Sequence, residues 1–95
     1  MKITTKKWDA SQYLENPEMM RDYLQVMLEE NGVAGFQQAL GDIAKAKGMN
    51  EIAKKTHLGR QNLYKALSAD SSPKFDTINK VIEALDCKFV LVHNH

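Results

Sequence analysis

The 95-residue chain is poor in the residues that make covalent or irregular frameworks: one cysteine, two prolines and five glycines. A single thiol, Cys87, excludes an internal disulfide and suits a reducing compartment. So few prolines and glycines argue against a long disordered segment. No apolar run reaches the ~18 residues that a membrane helix needs, so no spanning segment is expected and a cytoplasmic location is. Met1-Lys2-Ile3-Thr4-Thr5-Lys6-Lys7 starts basic, but no apolar region follows, so a signal peptide is not expected. His57, His93 and His95 are the only histidines. His93 and His95 could share one face of an extended segment, yet no His/Cys cluster has zinc spacing. A glycine-rich phosphate loop and a nucleophile elbow are both missing. These absences leave no catalytic constellation, so neither an enzyme, a metal nor a cofactor is expected.

What the chain does have is an uneven distribution of charge. Its formal net charge is +1. Residues 42–80 carry eight basic side chains (Lys45, Lys47, Lys54, Lys55, Arg60, Lys65, Lys74 and Lys80) against four acidic ones (Asp42, Glu51, Asp70 and Asp76). The segments on either side are net acidic. A basic middle between acidic flanks implies two surfaces with different partners. Asp9, Glu15, Glu18 and Asp22 are either a solvated surface or one that faces a basic protein.

The length suits a single domain over 1–95, with 1–15 as an N-terminal extension. The fold class expected is mainly α, about five short helices and one C-terminal β-strand. Asp9 can cap one turn over Ala10 to Leu14. Asn16-Pro17-Glu18 is a stronger start: a capping side chain, proline at the first helical position, then an acid. Met20, Leu24, Met27 and Leu28 follow on one helical face, and Asn31-Gly32 ends that helix. The next runs from about Val33 to Lys47, with Phe36, Leu40, Ile43 and Ala44 on one side and Gly48 as its stop. Gly35 and Gly41 weaken it, so packing must hold it. Glu51–Thr56 and Arg60–Leu67 are two short helices, and Phe75, Ile78, Ile82 and Leu85 mark the apolar face of a last one. Lys88-Phe89-Val90-Leu91-Val92 has strand composition. A lone strand needs a ladder partner: either the same strand of a second copy across a twofold axis, or Ile3-Thr4-Thr5 within the chain.

Residues 49–68, MNEIAKKTHLGRQNLYKALS, meet the requirements of a helix-turn-helix. Ile52-Ala53 supply a branched and then a small residue where two helices must cross closely. Leu58 supplies the apolar residue of the turn, and Leu63 locks the second helix five positions later. The remaining positions of that helix are Arg60, Gln61, Asn62, Tyr64, Lys65 and Ser68. Arginine can grip guanine through two hydrogen bonds, and glutamine or asparagine can grip adenine. Lysine and tyrosine reach phosphate oxygens. No acidic residue lies between Lys54 and Ala69 to repel a phosphate backbone. Gln61 and Lys65 share a face at i and i+4 and are expected to face the bases, with Arg60 and Asn62 flanking them. Tyr64 lies one step from the apolar stripe, either half-buried or on the DNA. Asn50 and Lys74 are expected phosphate contacts.

Several blocks together resemble a known family: Asp9 to Leu14 with Asn16-Pro17-Glu18; Ala39-Leu40-Gly41-Asp42-Ile43-Ala44; Gly48-Met49 before Ile52-Ala53; Leu58-Gly59-Arg60; Leu63 to Ser68; and Pro73 to Ile78. In order and spacing they are similar to the HigA-like addiction-module antitoxins with a Xre/Cro-type helix-turn-helix, over about residues 8 to 92. The resemblance implies a type II antitoxin that neutralises a small basic RelE/HigB-like toxin. It also implies a homodimer that binds double-stranded DNA at its own operator and represses the operon. Two positions depart from the pattern. His57 stands where the turn often has glycine, and Gly59 where serine or threonine usually caps the recognition helix. A stand-alone phage-type repressor without a toxin, and an interaction module whose motif no longer binds DNA, are the other readings these residues allow.

Overall fold

The computed structural model describes residues 16–68 and 70–94. The Ala10–Leu14 turn, the Ile3-Thr4-Thr5 segment and the N-terminal extension lie outside these residues. Among the described residues four helices follow one another: α1 Pro17–Lys47, α2 Met49–Thr56, α3 Arg60–Ala66 and α4 Phe75–Ala84.

Asn16 starts α1 as its residue type dictates. The Oδ1 atom accepts from the backbone N–H of Glu18 at 3.0 Å and of Met19 at 3.2 Å, and Pro17 needs no partner at the first position. The expected break between two helices is a sharp kink at Gly32, where φ is 72° and ψ is −165°. That conformation is essentially confined to glycine. Gly48 then closes α1, its N–H donating to the Ala44 carbonyl at 2.9 Å, while its own carbonyl accepts from Ile52 at 3.1 Å and opens α2.

The second helix is the hub and packs against each of the other three. Its Ile52 is fully buried among Leu40, Ile43, Leu63 and Val81, also fully buried, with Met20, Leu24, Leu67, Ile82 and Leu85 completing the core. Burying a side chain such as Leu63 contributes about 2 kcal/mol. The expected inward residues Ile52, Leu58 and Leu63 do face this core, Leu58 from a half-buried position. At Gly41 α1 comes so close to the end of α3 that a Cβ would sit 3.1 Å from the Leu67 carbonyl oxygen. Absence of a side chain there is what lets the two helices touch.

Two expectations are corrected. Among the described residues there is no β-strand: residues 88–94 have no regular structure. The composition of Lys88–Val92 favours a strand, but no extended segment among the described residues lies alongside to take its N–H and C=O groups. Propensity without a ladder does not make a strand. Phe89 in this segment is anchored, with its ring 6.1 Å from that of Phe36 and 5.4 Å from that of Phe75, whereas Leu91 is 100% exposed. Phe75 was expected on the buried face of the last helix, and it is 68% exposed. It is the first residue of α4, so it projects beyond the core that Val81 and Ile82 reach.

Candidate nucleic-acid interface

The geometry of the α2–α3 unit follows from three local features. First, Thr56 ends α2 by donating its hydroxyl back to the Ile52 carbonyl at 2.8 Å and accepting the Leu58 N–H at 3.3 Å. Second, His57 takes the left-handed conformation, φ 62° and ψ 23°, that reverses the chain. The departure from glycine is accommodated because histidine tolerates this region better than most side chains. Third, Gly59 precedes α3 in extended conformation, and its carbonyl accepts the Leu63 N–H at 2.9 Å. Three residues thus separate two short helices.

Leu63 and Leu67 set which side of α3 turns inward. At 100° per residue the opposite face is centred on Gln61, Lys65 and Ser68, with Arg60 and Tyr64 on one flank and Asn62 on the other. All six side chains are exposed. Gln61 and Lys65 therefore share the outermost arc. Tyr64 is 40% exposed. Its neighbour Arg60 is docked onto it. The Arg60 Nη2 donates to the Tyr64 hydroxyl at 3.3 Å, and the guanidinium carbon lies 5.5 Å from the ring centre. Asn50 and Lys74 lie on other elements, as exposed residues at the N-terminal ends of α2 and α4. None of α2, α3 and α4 has a side-chain cap on its first-turn amides.

Gln37 was not singled out in the sequence. Its side chain is buried against the far end of α3. The Nε2 atom donates to the carbonyls of Ser68 at 2.6 Å and Ala66 at 3.0 Å, and to the Ser71 hydroxyl at 3.1 Å. Carbonyl oxygens only accept, so the amide nitrogen and not its oxygen must face them. Ser71 Oγ in turn donates to the Ala66 carbonyl at 3.0 Å. This cluster fixes the end of α3 and the following loop to α1. A polar residue beside the apolar row Phe36, Leu40 and Ile43 was the available signal.

A second surface adjoins this cluster, with Gln37 and Ser71 in its wall. A cleft of about 530 Å³ opens between α1, the loop before α4 and the C-terminal segment, with Leu28, Val33, Phe36, Phe75, Ile78 and Phe89 in its walls. Leu28, expected on one helical face with Met20, Leu24 and Met27, lines this cleft, whereas Met20 and Leu24 are buried in the core. Val33 and Phe75 in its walls are exposed, and so are Val90 to Val92 further along the C-terminal segment. No helix among the described residues is long and apolar enough to cross a membrane.

A sequence model of the family described as "Probable addiction module antidote protein" matches residues 4–93. The chain belongs to that family. An antidote protein acts on a toxin, so the family carries with it a toxin partner of some kind. A relative from Haemophilus influenzae, described as an uncharacterized protein, is 39% identical over 84 residues, which is 88% of this chain and 87% of the relative. No solved structure matches the chain.

Proposed function

We propose that the chain is a DNA-binding antitoxin that represses its own operon and neutralises a small basic RelE/HigB-like toxin. The observation that carries the DNA-binding arm is the outward face of α3. Arg60, Gln61, Asn62, Tyr64 and Lys65 are all exposed there, with Ser68 exposed just past the helix end, and the other side is locked by Leu63 and Leu67. A rigid helix presenting amide, guanidinium and ammonium groups with no acid among them is the arrangement that reads a major groove. Gln61 and Lys65 face the bases in this reading, Arg60 and Asn62 flank them, and Asn50 and Lys74 hold phosphates. A homodimer would set two such helices about 34 Å apart on a pseudopalindromic operator.

The toxin arm rests on the family and on the apolar cleft. Contiguous exposed apolar surface rimmed by polar residues marks a protein contact. Val33 and Leu91 are exposed, so replacing either with glutamate tests the contact without opening the core. The experiment is co-expression with the product of the reading frame adjoining this chain's own. Co-purification of the two, weakened by Val33→Glu and Leu91→Glu, supports the antitoxin reading. A neighbour that neither binds the wild-type chain nor is relieved of toxicity by it removes the reading.

A further inference from the structure

The pairing of Arg60 with Tyr64 goes a step further, and the inference rests on the DNA-binding reading. The two residues stand four apart on one flank of α3, both exposed, joined by a 3.3 Å hydrogen bond and by a guanidinium placed 5.5 Å from the ring centre. We propose that Arg60 reads a guanine and that Tyr64 is a positioning residue, which holds the Arg60 guanidinium ready without touching DNA itself. An unrestrained arginine samples many rotamers and loses that freedom when it grips a base. Contact with Tyr64 removes part of the freedom beforehand, and preorganisation of this kind strengthens binding by lowering its entropic cost.

The donor count allows both bonds at once. A guanidinium has five N–H groups, and Nη2 carries two of them. One goes to the Tyr64 hydroxyl. The other still forms a complete two-donor edge with either Nε or Nη1, which is what guanine O6 and N7 require. Tyr64 therefore restrains the arginine without using up its reading edge.

The test uses the full chain and a labelled DNA fragment from upstream of its own reading frame, with each base pair of one half-site changed in turn. The variants are Arg60→Ala, Tyr64→Phe, Tyr64→Ala and the double alanine variant, measured at two salt concentrations. Arg60→Ala is expected to lower preference at one base pair by on the order of 10-fold. Tyr64→Ala should lower it at the same base pair by about 2–5-fold, Tyr64→Phe by less, and the double variant by no more than Arg60→Ala alone. The salt dependence of Tyr64→Ala should equal that of the wild type. Losses that add in the double variant, or a Tyr64→Ala loss that is equal on all sequences with a flattened salt dependence, would make Tyr64 a phosphate contact and overturn the proposal. So would an unchanged Tyr64→Ala. If the wild-type chain shows no preference for its own upstream DNA, the DNA-binding reading fails first, before any variant is compared.

Discussion

The side-chain nitrogen of Gln37 lies 2.6 Å from the carbonyl oxygen of Ser68, a residue 31 positions further along the chain. This bond and its companions to Ala66 and Ser71 join α1 to the end of α3. Gln37→Ala is expected to destabilise the fold by about 1–3 kcal/mol, since it strips a donor from partly buried carbonyls. Gln37→Glu should cost at least as much, because a carboxylate would face carbonyl oxygens. Urea unfolding measures both. Equal stability of Gln37→Ala and the wild type would show that water replaces the amide fully.

His57 occupies a left-handed position that glycine fills without steric cost. His57→Gly should be neutral or stabilising by up to about 1 kcal/mol, and His57→Val, with a branched Cβ, should destabilise by about 1–2 kcal/mol. Thermal unfolding of the two variants checks the sign. A stabilised valine variant would mean that the turn is not held in this conformation.

Gly32 and Gly41 fail for different reasons when given a side chain. At Gly32 a Cβ has open space but the backbone does not suit it, so Gly32→Ala should cost about 1–3 kcal/mol through strain. At Gly41 the backbone is helical and the obstruction is the Leu67 carbonyl. Gly41→Ala should therefore displace the end of α3 and weaken DNA binding as well as stability, whereas Gly32→Ala should affect stability alone. Melting curves and DNA titrations of the pair separate the two effects.

Cys87 is half-buried, and its thiol is pushed above the ordinary cysteine value, first by burial and then by the charge of Asp86, with Arg21 opposing. The folded chain thus holds this proton more tightly than the unfolded chain does. Its contribution is fully present below the unfolded thiol pKa of about 8.5 and is lost as pH rises through the folded value. The wild type should lose more stability than Cys87→Ser between about pH 8 and pH 10. Parallel stability profiles for the two proteins would contradict this.

Much of the helical order was legible in the sequence because the signals were local. Asn16-Pro17-Glu18 opens α1, Gly32 breaks it, Gly48 separates it from α2, and Ile52, Leu58 and Leu63 turn inward at their spacing. The failures involve information that is not local. Phe75 and Leu28 fall on apolar periodicities, but periodicity marks a face without saying whether another element covers it. The Lys88–Val92 segment has strand residues but no ladder among the described residues. Gln37 finds its partners across some thirty residues, so nothing beside it in the sequence announced them. The sequence pointed to Gln61 and Lys65 as the i, i+4 pair of α3, and only the side-chain geometry joins Arg60 to Tyr64.

The central claim is that the outward face of α3 binds specific DNA. Its most direct test is fluorescence anisotropy on the fragment upstream of the chain's own reading frame against scrambled DNA of equal length. The wild type and the Gln61→Ala/Lys65→Ala double variant are compared at two salt concentrations. The wild type is expected to prefer its own fragment by ~10³-fold or more, with strong salt sensitivity. The double variant should fall to the level of scrambled DNA with its melting temperature unchanged. Equal binding of both fragments by the wild type, or full specificity in the double variant, would contradict the account.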